Sequence, residues 1–389
     1  MSDQYVVSVA PEIALDFGRN YAGGLGVLEG DKFYAAARLG VPYVVITPFY
    51  EKGYVAYRPG DNGELIPAPE DQTDVLKKLE LKATGWIVVN GEDVEVGYYV
   101  FSLNTASAVF VKPLHPPWAV KAAERLYVES TDAERFLKYV ILAKAAAYYV
   151  ERFIGWGRVK YLDLQEAYTA LLPLMKSFER YRLIIHTPAP WGHLAFPRRF
   201  FRQEFGFEFA MNPVVLTEVG LATAREGIVV SKKMVDLVAQ AFPHHARKIR
   251  PITNAVEVPR WRHPALADVK DEEGLRRARA AAKEEGLRAL GVRTDKPVIT
   301  WARRLTQYKR PDFAVQLVED LNKDAFFILG GRAHPDDQFG RRIAEEFRRL
   351  ASSRPNVAYI PDLTVERMKY VIWATDIMTF TPFSAWEAS

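Results

Sequence analysis

From residue 296 to residue 380 the chain alternates short apolar runs with amphipathic stretches, and this alternation most narrows what it can become. Pro297–Thr300, Ala325–Gly330, Val357–Ile360 and Asp376–Phe380 have the length and apolar content of buried strands. Pro311–Asp320, Phe339–Ser352 and Val365–Ala374 lie between them with helical spacing. Strand, helix, strand, repeated this way, predicts a parallel sheet with right-handed crossovers. Such a sheet binds ligands where its strands end and its helices begin. The stretch Thr300–Arg310 is such a place, and it carries Arg303, Arg304, Lys309 and Arg310. Free N–H groups at a helix start favour an anion there, so phosphate binding is the sharper reading. A solvated basic turn is the plainer one.

The earlier part of the chain reads as a second α/β region. Tyr5–Ala10 is a strand, Lys32–Leu39 a helix stopped by Gly40, and Val41–Thr47 the next strand. The turn between the first two holds Gly23, Gly24 and Gly26. Glycines let backbone approach a ligand and aim N–H groups at it; they also suit a tight turn with no ligand. Residues 58–85 are polar and rich in turn signals. Trp86–Val89, Val94–Phe101 and Ala108–Val111 predict an inserted antiparallel meander, turned by Asn90–Asp93. A long helix runs from Thr131 to Phe153, capped by Ser130 or Thr131. Strand Val159–Leu164 precedes a helix opening at Gln165–Leu172, which puts Glu166 at a strand-to-helix corner. A carboxylate there either complements the helix dipole or serves chemistry. Strand Arg182–His186 runs into a loop stiffened by Pro188, Pro190 and Gly192. Neither His186 nor His193 has ligand spacing to a second histidine or carboxylate, so no metal is expected. Strand Gly227–Ser231 with helix Lys232–Ala241, and then Ile252–Val258, complete this region.

The division expected is a first domain over 1–258, with its meander near 86–112, a charged helical connector over 259–295, and a second domain over 296–389. A net charge of +4 on 389 residues implies no nucleic acid. The absence of cysteine excludes disulfides and thiolate metal sites. No apolar run reaches membrane-spanning length, and the polar start Met1–Gln4 lacks a leader pattern, so a cytoplasmic protein is expected.

Six separate stretches, in order, give the chain a resemblance to the α-glucan phosphorylases, the glycogen, starch and maltodextrin enzymes, in their short prokaryotic form. Tyr21–Asp31 resembles the family's glycine loop, His186–His193 with Phe196 and Pro197 its HTPxPxGH segment, and Ile252–Val256 its TNGV turn. Arg303 and Arg304 with Tyr308–Arg310 resemble its basic turn, and Gly331–Pro335 its GKAHP segment. Thr381, Pro382 and Glu387–Ser389 resemble the start of its EASGTSGMK signature.

The resemblance implies an α/β protein with the GT-B glycosyltransferase architecture, two Rossmann-like domains facing across a cleft, the second incomplete here. It implies reversible phosphorolysis of a terminal α-1,4-linked glucose to α-glucose 1-phosphate with retention, so α-1,4-glucan and inorganic phosphate are the expected partners. A homo-oligomer is compatible with it. It implies pyridoxal 5'-phosphate as cofactor, working through its phosphate. Arg304 and Lys309 would hold the substrate phosphate, Arg303 would lie near the cofactor phosphate, and the Gly24–Leu25 peptide beside Gly23 would donate N–H groups. The His186 carbonyl would face the reacting sugar carbon, Glu387 would bind a glucose hydroxyl, and Glu166 would lie near the acceptor sugar.

This chain departs from the family at Gln165–Tyr168, at Arg303 where lysine is usual, and at Phe380. The lysine that would hold the cofactor falls beyond Ser389, so truncation is expected. Two other functions stay open. One is a nucleotide-sugar-dependent GT-B glucan synthase; such enzymes carry a second glutamate eight residues before or after the first, and Thr379 at the earlier position disfavours it in part. The other is an inactive glucan-binding remnant.

Overall fold

The structure, a computed structural model, describes residues 4–61, 64–321 and 324–383. They fall into two compact units, one of residues 4–54 and 71–256, the other of 55–70 and 257–383.

The first unit is built on β1 (Tyr5–Val9) and β2 (Tyr43–Pro48). The next two strands, β3 (Ala56–Pro59) and β4 (Leu65–Ala68), form a hairpin that belongs to the second unit. Then come β5 (Glu80–Val89), β6 (Glu92–Leu103), β7 (Ala106–His115), β8 (Val159–Gln165) and β9 (Tyr181–Ile185). A two-stranded pair of β10 (Ala195–Phe196) and β11 (Val214–Val215) precedes β12 (Glu226–Val229) and β13 (Ile249–Pro251). Among the described residues the main sheet has nine strands in the order β13-β12-β9-β8-β1-β2-β7-β6-β5. It is parallel from β13 to β7 and antiparallel across β7, β6 and β5. The meander therefore extends the main sheet through β7 and is no separate insertion. Its apolar residues alternate, so β5 buries Ile87 and Val89 while Trp86 and Val88 face out.

Strand order reverses at β1, with β2 on one side and β8 on the other. That reversal defines a crevice at the carboxyl ends of β1 and β8.

Two local expectations give way to tertiary packing. The helix expected from Lys32 already starts at Gly24 and runs to Leu39, so the glycine stretch is itself helical. Glycine has poor helix propensity, so long-range contact holds these turns. At Gly26 a Cβ would overlap that of Tyr21 and lie 2.9 Å from Glu12 Oε2. Glu29, fully buried, is satisfied by the Tyr43 hydroxyl and by Lys32 at 2.9 Å. The helix expected at Gln165–Leu172 is instead two short 3-10 turns, Ala167–Thr169 and Leu172–Leu174. Glu166 adopts φ +62° and ψ 173°, which no α-helix accommodates. The long helix keeps its expected cap: Thr131 accepts from Glu134 N at 3.1 Å and Glu134 accepts from Ser130 N at 2.8 Å.

In the second unit β14 (Val298–Ala302), β15 (Phe326–Gly330), β16 (Val357–Ile360) and β17 (Ile377–Met378) pair in parallel in the order β16-β15-β14-β17. Helices Asp312–Leu321, Gln338–Ser353 and Val365–Ala374 alternate with them as the pattern predicted. Order reverses again, between β14 and β17. Two distant segments complete this unit. Helix Glu272–Ala289 packs on helix Val365–Ala374 so closely that a Cβ on Gly286 would lie 2.6 Å from the Tyr370 carbonyl oxygen. Lys283 pairs with Asp376 at 2.5 Å. The β3–β4 hairpin, most of it within the polar, turn-rich stretch that begins at residue 58, is anchored by Tyr57, whose hydroxyl donates to the Ala333 carbonyl at 3.0 Å. Arg332 donates to both Glu70 and the Val55 carbonyl, and both side chains of that ion pair are buried. No helix among the described residues is long and apolar enough to cross a membrane.

Truncating one member of a buried ion pair strands the other, at a cost of about 3–5 kcal/mol. Glu70→Ala is therefore expected to lower the unfolding free energy of the second unit by that order, and Glu70→Leu with Arg332→Leu by much less. Equilibrium urea unfolding of the single and double variants checks this.

Candidate functional site

The first unit gathers the side chains expected from sequence at the reversal beside β1. The helix Gly24–Leu39 begins there with Gly23 as its N-cap and no side chain closing the end. A Cβ on Gly23 or Gly24 would meet nothing within 4 Å, so the first-turn backbone is open. N–H groups of a first turn have no intrahelical acceptor, which suits Gly24 and Leu25 to donate to an oxygen-rich ligand. Glu12, buried just beyond β1, holds the approach to this turn: Oε2 accepts from Ala22 N at 2.5 Å and Gly23 N at 3.3 Å. Its Oε1 accepts from the Tyr127 hydroxyl at 2.9 Å. Tyr127 itself has φ +57° and packs on Tyr168 with ring centroids 5.4 Å apart.

On the neighbouring strand end, Glu166 is buried and strained. Its Oε1 accepts from His186 N at 3.0 Å, so the corner after β8 is tied to the loop after β9. Burial pushes the Glu166 carboxyl up to about 8, against donors from Thr187, His186 and Ala167 that favour the ionised form. His186 goes the other way: burial, aided by the Lys32 charge, takes its imidazole down to about 3. It is neutral at physiological pH, with Nε2 donating to Gln165 Oε1 at 2.9 Å. A carboxyl raised toward neutrality at a non-glycine residue with positive φ is a combination found at functional sites.

The second unit presents its basic turn at its own reversal. Arg303 follows β14, donates its N–H to the Gly330 carbonyl at 3.2 Å, and lies over the Phe380 ring at 4.6 Å. The departure at Phe380 thus supplies a cation–π face. Gly331, with φ +127°, has no room for a Cβ against the Arg303 carbonyl, so only glycine fits beside the turn. Lys309 lies on the 3-10 turn Gln307–Lys309, and Arg304 and Lys309 are half-buried. Arg310 ends that turn with φ +53° and lies over Phe313 at 3.5 Å and Phe383 at 4.6 Å. The segment after β17 locks the turn: Thr381 Oγ1 accepts from Trp301 Nε1 at 2.9 Å and donates to the Lys309 carbonyl at 2.9 Å. Phe383 N donates to the Tyr308 carbonyl at 3.0 Å. Thr306 Oγ1 and Arg310 Nε are buried here without a hydrogen-bond partner. Orphaned donors beside clustered cations fit a phosphate group.

The residues expected from sequence thus fall into two sets. Gly23, Gly24, Leu25, Glu166 and His186 share the strand ends of the first unit, and Arg303, Arg304 and Lys309 share one turn of the second. Glu387 lies outside the described residues. Glu12 and Tyr127 escaped sequence reading. A carboxylate inside the apolar run after β1 was the available signal for Glu12; nothing in the sequence marks Tyr127. Among the described residues no cluster of three or more histidine or acidic side chains could hold a metal.

No family model matches the chain. It is similar over nearly its whole length to α-glucan phosphorylases. A glycogen phosphorylase from Aquifex aeolicus is 22% identical over 98% of this chain and 70% of its own length. A maltodextrin phosphorylase from Thermococcus litoralis is 21% identical over 95% of this chain and 56% of its own. Among solved structures, the catalytic domain of starch synthase IV from Arabidopsis thaliana, bound to ADP and acarbose, superposes with a TM-score of 0.74. It is 15% identical and covers 98% of this chain and 78% of that one. The fold is that of the GT-B glycosyltransferases.

Three outcomes follow from this geometry. A carboxyl whose folded value is raised from 4.5 to about 8 favours folding below pH 4.5 and loses that contribution as pH rises through 8. Relative to Glu166→Gln, the unsubstituted protein should therefore lose stability between those limits and not outside them, as read by urea midpoints across pH. Gly26→Ala should be destabilising by about 1–3 kcal/mol through overpacking. Gly24→Ala should leave the melting temperature within about a degree, on the order of 0.5 kcal/mol or less.

Proposed function

We propose that this chain is a glucan-acting hexosyltransferase of the α-glucan phosphorylase kind. It moves a terminal α-1,4-linked glucose to inorganic phosphate, with retention, giving α-glucose 1-phosphate. The observation that carries the reading is that each unit bears one of the resembling motifs at its own strand-order reversal. The first unit has the glycine turn with Glu166 and His186, and the second has the basic turn.

The chemistry is assigned residue by residue. An oxocarbenium-like transition state needs neutral and anionic oxygens near the sugar carbon, and a departing oxygen that receives a proton. The His186 carbonyl serves the sugar side, while Glu166 holds that loop by its backbone and faces the acceptor sugar. Arg304 and Lys309 offset phosphate charge with fixed cations, and the Gly24 and Leu25 amides donate to phosphate oxygens. Arg303 and the turn around Thr306 would hold the phosphate of pyridoxal 5'-phosphate. That cofactor supplies, when bound, a phosphate able to give and take back a proton. Glu387 is assigned to a glucose hydroxyl.

The fold likeness to a starch synthase favours a second reading, glucosyl transfer from a nucleotide sugar. Incubation with maltodextrin and phosphate, with and without added pyridoxal phosphate, separates the two. Glucose 1-phosphate is the expected product. Glucan elongation from ADP-glucose alone would support the second reading, and glucan binding with neither product would leave a binding protein. Removing a fixed charge that meets transition-state charge lowers rates by roughly 10²–10³-fold. Arg304→Ala and Lys309→Ala should each lower kcat/KM for phosphate by that factor, with unfolding midpoints near those of the unsubstituted chain.

A further inference from the structure

Tyr127 is held in a backbone conformation that an aromatic residue does not favour, and its hydroxyl reaches the carboxylate that shapes the glycine turn. Its φ of +57° lies in the left-handed region, which such a residue adopts only where its surroundings impose it. They do so from both flanks. Leu126 N donates to the Gly53 carbonyl at 2.9 Å, and Arg125 Nη2 donates to the Tyr54 carbonyl at 2.8 Å. Lys138, a buried cation, ties the two sides together. It donates to the Arg125 carbonyl before Tyr127 and pairs with Glu129 after it at 2.6 Å. Arg135 Nε donates to the second Glu129 oxygen at 3.1 Å. Buried ions are costly to assemble, and these ones fix the chain on either side of the strained residue.

The constraint is passed on through one hydrogen bond. The Tyr127 hydroxyl donates to Glu12 Oε1 at 2.9 Å, while its ring is seated on Tyr168, which packs in turn on Tyr139 with centroids 4.9 Å apart. A carboxylate gripped at one oxygen keeps the other in a set direction. Glu12 Oε2 is the acceptor for the amides of Ala22 and Gly23, the two residues before the helix Gly24–Leu39. Those amides are engaged inside the protein, and the Gly24 and Leu25 amides that follow belong to a first turn with no intrahelical acceptor. We infer that Tyr127 is a positioning residue for anion binding at the glycine turn, acting through Glu12 and not on the substrate. This inference rests on the phosphate reading of that turn given above.

Calorimetric titration of the whole chain with inorganic phosphate, and separately with maltoheptaose, tests this without turnover. Tyr127→Phe keeps the ring on Tyr168 and deletes only the hydroxyl. Hydrogen bonds to charged groups are among the stronger ones, so this variant should bind phosphate roughly 3- to 10-fold more weakly, with maltoheptaose affinity unchanged. Hydrogen exchange at the Ala22 and Gly23 amides should quicken, while that of β1 stays slow. Tyr181 supplies the control: it opens β9, at the end away from the loop that carries His186, and its hydroxyl donates to the Lys176 carbonyl at 2.9 Å. Tyr181→Phe should bind phosphate as the unsubstituted chain does. Unchanged phosphate affinity in Tyr127→Phe overturns the positioning role and leaves the phosphate reading standing. Equal loss of phosphate and maltoheptaose affinity, with a lowered unfolding midpoint, also overturns it, because a purely structural bond would behave that way. If the unsubstituted chain does not bind phosphate, the phosphate reading falls and this role falls with it.

Discussion

Parallel pairing of β1 with β8 is the constraint on which the first unit depends. Right-handed crossovers carry the chain from β1 to β2 on one side, and the later strands β8, β9, β12 and β13 must then extend the other. Two loops leaving a sheet in opposite directions cannot cover the strand ends between them. Glu12, the glycine turn and Glu166 all lie at that uncovered edge. The second unit repeats the construction with β14 and β17, and there the exposed edge is filled by cations.

Three buried carboxylates in the first unit show how differently one charge can be accommodated. Glu29 is satisfied inside its own helix by Lys32 and by the hydroxyl of Tyr43. Glu12 is satisfied by backbone amides and a tyrosine, and so serves to shape the glycine turn. Glu166 has amide donors as well, but burial outweighs them and raises its proton affinity. Only this last group sits on a strained backbone, and only it ties two neighbouring strand ends together. The first two arrangements are complete within the protein. The third is held by donors from Thr187, His186 and Ala167 and still has its proton affinity raised.

The second unit is assembled from pieces far apart in sequence. Its parallel sheet accounts for one stretch, yet the β3–β4 hairpin and the helix Glu272–Ala289 are packed into it by contacts between residues far apart in sequence. Arg332 reaches Glu70 and Val55 across more than 260 positions. Gly286 permits a helix–helix approach that any side chain would block. These contacts also steady the basic turn, because the Arg332 carbonyl accepts from Leu305 N at 2.9 Å.

The alternation of strands and helices from residue 296 onward was legible in the amino acids, because apolar periodicity is a local property. So were the antiparallel meander, the capped helix after Thr131 and the basic turn, since charge, turn chemistry and capping act over a few residues. The strand ends that would carry the glycine motif and Glu166 could be read for the same reason. Only the tertiary structure decided that the glycine stretch is helical, since its poor propensity is overridden by Gly26 packing on Tyr21 and Glu12. It alone decided that Glu166 ends β8 in a left-handed conformation and not in a helix. It alone recruited Glu12, Tyr127 and the β3–β4 hairpin. Each of those depends on contact between residues remote along the chain, and local pattern carries no record of which remote surfaces will meet.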